Sequence, residues 1–115
     1  MNDILDAIQK FIEAAEKYGA AQLEGNSRLV NRQQEVLKKL YSILRESYSQ
    51  HQSDIIQLLQ NDSGYVRLKA SVCLIPVAPE EAKQALIRLS TEERGLLGFE
   101  AEMTLKEWEK GRLKP

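Results

Sequence analysis

Ile4, Ile8, Phe11, Ile12, Ala15 and Gly19 follow one another at three- and four-residue steps, while Asp6, Lys10, Glu13 and Lys17 take the other side. That spacing collects the apolar set on one face of a helix. Gly25 in "EGNS" supplies a stop, and Asn26 or Ser27 is placed to cap a second helix running to about Tyr48. The second helix carries two apolar stripes: Val30, Leu37, Tyr41, Leu44 and Tyr48 form one, Leu29, Val36, Leu40 and Ile43 the other. Two stripes predict packing on more than one neighbour. Tyr41 and Tyr48 read as core-edge residues with a wet hydroxyl. From residue 53 the segments shorten, and "SDIIQLLQ", "SGYVRLKASVCLI", "PEEAKQALIRL" and "ERGLLGFEAEMTLKEWEKG" read as four further helices. Pro76 and Pro79 break the chain between the second and third of these, and Pro79 followed by Glu80 and Glu81 suits a first helical turn. Asp62 is placed to cap the helix after it, and Ser90 to Glu93 has the spacing of a capping box.

A shift of 31 residues lays "DSGYVRLKASVCL" (62–74) on "ERGLLGFEAEMTL" (93–105). Gly64 then meets Gly95, Val66 meets Leu97, Leu68 meets Phe99, Ala70 meets Ala101, Val72 meets Met103 and Leu74 meets Leu105. Upstream, Ile55 meets Leu86, Ile56 meets Ile87 and Leu58 meets Leu89. The fold expected from this is all-α: a HEAT-like α-α superhelix of about six helices, with two hairpin repeats at the 31-residue offset in the C-terminal half. A stacking hairpin buries one face on its own partner helix and another on the next hairpin. Both stripes of the last helix, Leu97, Ala101, Leu105, Trp108 and Leu96, Phe99, Met103, are therefore expected in the core, with Trp108 as terminal packing. Small Ala70 and Ala101 would let paired helices approach closely. No linker divides the chain, which reads as one helical-repeat domain over 1–115.

Charge then removes one class of ligand. Lys plus Arg number 16 and Asp plus Glu 17; residues 1–57 carry 7 against 8 and the remainder 9 against 9. Neither half has the basic stripe that phosphate backbones require, so nucleic acid is not expected as the ligand. The first residues, "MNDILDAIQKF", are acidic with spaced apolar positions, unlike a signal peptide, and no apolar run nears the ~20 residues that span a bilayer. A cytoplasmic location and no membrane partner are expected. The lone Cys73, between Val72 and Leu74, reads as a small buried side chain. His51, in the polar junction "SQHQSD", reads as a solvated linker residue, since one His cannot assemble a metal set. The carboxylates of "EEAK", "STEE" and "EMTLKEWEKG" lie at helical spacing beside Lys, as surface ion pairs do. No catalytic, cofactor-binding or metal-ligating set is expected, and hence no enzyme.

At "GLLGFEAEMTLKEWEKGRL" the wording resembles the C-terminal signature of a bacterial family of short, uncharacterised, HEAT-like helical proteins. "EAAEKYGAAQLEGNSRLVNR", with Gly25, Asn26 and Asn31, is similar to that family's first-helix pattern. "LLQNDSGYVRLKAS" is similar to its middle repeat and "APEEAKQALIRL" to its third quarter, so the resemblance covers nearly the whole chain. The sequence departs from the pattern at Asn26, where Asp is more usual, and at Glu100, where Ser is commoner. The family is similar in size and architecture to helical immunity proteins encoded beside secreted bacterial toxins. The resemblance implies a non-catalytic protein-binding module, most concretely an immunity protein whose partner is a toxin domain. The alternative is a small cytoplasmic adaptor or self-associating structural subunit; the sequence leaves the oligomeric state open.

On a helical wheel the positions between the two apolar stripes form a polar seam. Arg67 and Ser71 lie on one repeat helix, and Glu102, Lys106 and Glu109 on the other. These five are the expected partner-binding residues, projecting together from one shared face of the stack. Their mixed charge suits a protein partner.

Overall fold

The computed structural model describes residues 3–113. Six α-helices follow in order: α1 (Asp3–Glu24), α2 (Ser27–Ser47), α3 (Gln52–Ile56), α4 (Gly64–Leu74), α5 (Pro79–Glu92) and α6 (Gly95–Glu109). A 3-10 turn, Gln57–Gln60, extends α3, and no strand occurs among the described residues. The all-α expectation holds. α1 and α2 pack as a long antiparallel hairpin and α5 pairs with α6, while α4 lies between them, touching α1, α2, α5, α6 and the 3-10 turn. One apolar cluster joins the helices, from Ile4 and Phe11 through Leu37, Leu44 and Ile55 to Leu74, Leu86 and Leu105.

The start of α2 follows local chemistry. Asn26 is its cap, the side-chain oxygen accepting from the Leu29 N–H at 3.1 Å. The two N-terminal caps read from the sequence for the later helices are different in the structure. Ser63, not Asp62, caps α4, because the helix begins at Gly64 and the Ser63 hydroxyl accepts from the Val66 N–H at 3.4 Å. Asn61 in turn accepts from the Ser63 N–H at 2.9 Å. No capping box forms at Ser90, since α5 continues through it to Glu92. The Ser90 and Thr91 hydroxyls instead donate back to the Ile87 carbonyl, at 2.8 and 3.1 Å, as hydroxyls inside a helix do. The α5–α6 corner is tight: a Cβ on Gly98 would run into the Glu93 carbonyl, so only glycine lets the two helices close there.

The matched positions of the 31-residue offset agree where they face inward and part where they do not. Ile55 and Leu86, Leu58 and Leu89, Ala70 and Ala101, and Leu74 and Leu105 are buried in both copies. Leu68 is 2% exposed but Phe99 is 58% exposed, and Leu96 and Met103 also face outward. The expectation that both stripes of α6 are core is therefore corrected for Leu96, Phe99 and Met103. α4 is covered on this side by the first hairpin, whereas α6 meets only the C-terminal end of α1 there. The second stripe of α2 departs in the same way, with Leu40 buried but Val36 and Ile43 exposed. Trp108 is half-buried against the core. Tyr41 departs in the other direction: its hydroxyl is buried without a hydrogen-bond partner instead of wet.

Burial sets the energetic ranking. Truncating the fully enclosed Leu74 to Ala is expected to cost about 2–5 kcal/mol, and Leu105→Ala to fall at the low end of that range because α6 is covered on one side only. Denaturant midpoints of the two variants at unchanged m-value measure the difference. A Leu105→Ala midpoint equal to wild type would mean that the inner face of α6 is not core.

Candidate functional site

The α3 arm is shorter than α5, and the difference in length leaves a groove of about 1090 Å³ between them. Ile56, Leu59 and Ala85, all half-buried, give it an apolar floor. Asp62 stands on one wall, and Glu80, Glu81 and Glu92 line the α5 side, the first two in the first turn of that helix, where backbone N–H groups favour negative charge. Two guanidiniums also reach the groove. Arg88 lies 3.9 Å from Glu92, and Arg67 lies 4.0 Å from Glu93.

A second polar cluster is internal and ties four helices together. Lys69, 7% exposed, places its ammonium 3.7 Å from the centre of the Tyr18 ring and donates to Gln34 at 3.0 Å. The Tyr18 hydroxyl donates to Glu100 at 3.1 Å, and the Gln22 amide donates to the same carboxylate. Tyr65 packs its ring 5.9 Å from that of Tyr18 and lies against Gly19, where a Cβ would come within 2.5 Å of it. Burial pulls the Lys69 ammonium down to about 8, against a smaller opposing pull from Glu100. Burial also raises the Tyr18 phenol, with Glu100 adding to it. Cys73 is buried, as expected, and its thiol is pushed up to about 12, so it is no nucleophile at neutral pH.

The five expected partner-binding residues are not brought to one face. Arg67 lines the groove beside α5. Ser71 does not project at all: it is 0% exposed and donates to the Arg67 carbonyl at 2.7 Å, because α4 is covered where a polar seam had been expected. Glu102 and Lys106 pair with each other at 3.0 Å on the exposed side of α6. Glu109 lines a separate depression of about 230 Å³ with Pro79, Lys83, Leu105 and Trp108. The sequence reading passed over Lys69 and the wall residues Asp62, Glu80 and Glu81 as ligand-facing groups. Lys69 had a readable signal: it lies two residues from Arg67, so on a different side of the helix from Arg67 and Ser71, and its neighbours at three and four residues, Tyr65, Val66, Val72 and Cys73, are all apolar. The groove walls had none, since they come from segments that meet only in three dimensions. Among the described residues no helix is long and apolar enough to cross a membrane, and no group of three His, Cys, Asp or Glu converges as a metal site.

Two substitutions test the cluster. Gly19→Ala is expected to destabilise, although Ala is favoured over Gly by about 1 kcal/mol inside a helix, because the Cβ, Cγ and ring edge of Tyr65 occupy the space. A stabilised Gly19→Ala protein would show that Tyr65 yields freely. For Lys69, a folded-state value near 8 against the ordinary 10.5 means that the unfolded chain holds the proton more firmly above pH 8. The charge therefore costs the fold about 3 kcal/mol at pH 7, and the cost fades as pH rises. Lys69→Met should be more stable than wild type at pH 7, with the gap narrowing by about 1 kcal/mol at pH 9. Comparing the pair cancels the opposing ionisation of Cys73 in the unfolded chain; a gap independent of pH would mean that Lys69 is solvated.

The fold has a crystallographic counterpart. The chain superimposes on the crystal structure of the protein RPA1889 from Rhodopseudomonas palustris CGA009 with a TM-score of 0.83. The match covers 96% of this chain and 92% of that one at 22% sequence identity, a likeness of fold alone. No family model and no curated protein matches the sequence.

Proposed function

We propose that this chain is a non-catalytic protein-binding module, most concretely an immunity protein that binds and neutralises a cognate bacterial toxin. The observation that carries the reading is the open groove between the α3 arm and α5, with an apolar floor and charged walls. Protein interfaces use such a combination, an apolar centre that desolvates and a polar rim that selects. The resemblance of "GLLGFEAEMTLKEWEKGRL" to the short HEAT-like bacterial proteins supports the same reading and narrows it to immunity. A second reading, a cytoplasmic adaptor or self-associating subunit, draws on the outward-facing apolar side chains of α2 and α6, which a second copy would cover.

The two readings separate by experiment. Co-expression with the product of the neighbouring gene in a host that the product harms should restore growth and yield a stoichiometric complex under the first. Under the second the purified chain should sediment above monomer mass with growth unrestored. A monomer that neither rescues nor captures the neighbouring product would sink the immunity reading and the self-associating subunit, leaving the adaptor.

A further inference from the structure

Resting on the protein-binding reading, we infer that the groove between the α3 arm and α5 receives a basic amphipathic segment of the partner. The charge on its walls is net negative. Four carboxylates line it against two guanidiniums, and each guanidinium has a glutamate at ion-pair distance, Arg88 with Glu92 at 3.9 Å and Arg67 with Glu93 at 4.0 Å. Asp62, Glu80 and Glu81 have no cation partner among the described residues. These three do not converge on a point: among the described residues no three His, Cys, Asp or Glu side chains gather closely enough to hold a metal ion. Negative charge spread along a groove calls for cations spaced along a chain, and it repels a phosphate backbone. Between the walls, Ile56, Leu59 and Ala85 offer an apolar strip that a lysine-only segment would leave uncovered. At about 1090 Å³ and open to solvent, the space stands at the upper limit of small-molecule pockets and admits a length of polypeptide. The apolar stripe of Leu96, Phe99 and Met103 is the other exposed candidate, but nothing around it selects an occupant.

The test uses the full chain and a defined probe: a Lys–Leu amphipathic helical peptide of about four turns, with a Glu–Leu peptide of the same pattern as control. Amide chemical-shift mapping is expected to place the Lys–Leu peptide on residues 56–62 and 80–92, with no binding by the control. Glu80→Lys with Glu81→Lys should weaken the Lys–Leu peptide about tenfold or more, and so should added salt. Because α5 begins at those two glutamates, Asp62→Lys on the opposite wall provides an independent variant that leaves that helix intact. Lys106→Glu on α6, which is outside the groove, should change nothing. Equal binding by the wall variants, or shifts centred on Leu96, Phe99 and Met103, overturns the groove assignment. If the neighbouring gene product forms its complex equally well with the wall variants, the groove is likewise wrong while the protein-binding reading stands. If the peptide maps to the groove and no complex forms, the groove stands and the immunity reading falls.

Discussion

Enclosing α4 is the constraint around which this chain is arranged. The helix spans only Gly64–Leu74, and it is buried on nearly every side: Tyr65, Val66, Leu68, Lys69, Ala70, Ser71, Cys73 and Leu74 are all inside. A helix without a polar face is stable only where neighbours cover it all round, and here the first hairpin, the α3 arm, α5 and α6 each take a side. At its C-terminal end the helical ladder runs out: the Ile75 N–H donates to the Val72 carbonyl and the Val77 and Ala78 N–H groups to that of Leu74, which leaves the Cys73 carbonyl to be met from outside. Arg45 from α2 donates to the Cys73 carbonyl at 2.7 Å and adds a second donor to the Val72 carbonyl at 3.3 Å while lying over the Tyr41 ring. The same enclosure forces Lys69 into the interior, where the Tyr18 ring, Gln34 and the charge of Glu100 compensate in part for lost water.

The groove and the internal cluster follow from how α4 is covered. One side is closed by the long α1–α2 hairpin, whose end reaches α6 through Tyr18, Gln22 and Glu100. The opposite side is closed by helices of unequal length, and their mismatch leaves the cleft that Arg67 borders. One face is thus sealed by polar contacts that need burial, and the other left open with charge that water still solvates.

Features set by a few consecutive residues could be read from the sequence. The six helices, the Asn26 cap, the proline-led start of α5 and the buried Cys73 all rest on local spacing or composition. The misreadings came where two local solutions compete. Asp62 and Ser63 are both good caps, and only the exact first turn of α4 decides between them. Leu68 and Phe99 match in the repeat, yet what covers each depends on a hairpin far away in sequence. Ser71 falls at a polar position of the wheel and is nonetheless sealed in, for the same reason. Glu100 was visible only as a departure from a family pattern; its bonds to Tyr18 and Gln22 cross about eighty residues.

Helical stacks in which each hairpin touches only its neighbours tend to come apart piecewise, with terminal units fraying first. The bond between Glu100 and the end of α1 breaks that pattern, because the first and last hairpins hold each other as well as α4. Loosening either end breaks these bonds and uncovers α4, which couples the opening of the first hairpin to that of the last. Such coupling reduces the share of binding energy that a partner spends on ordering the helices around α4.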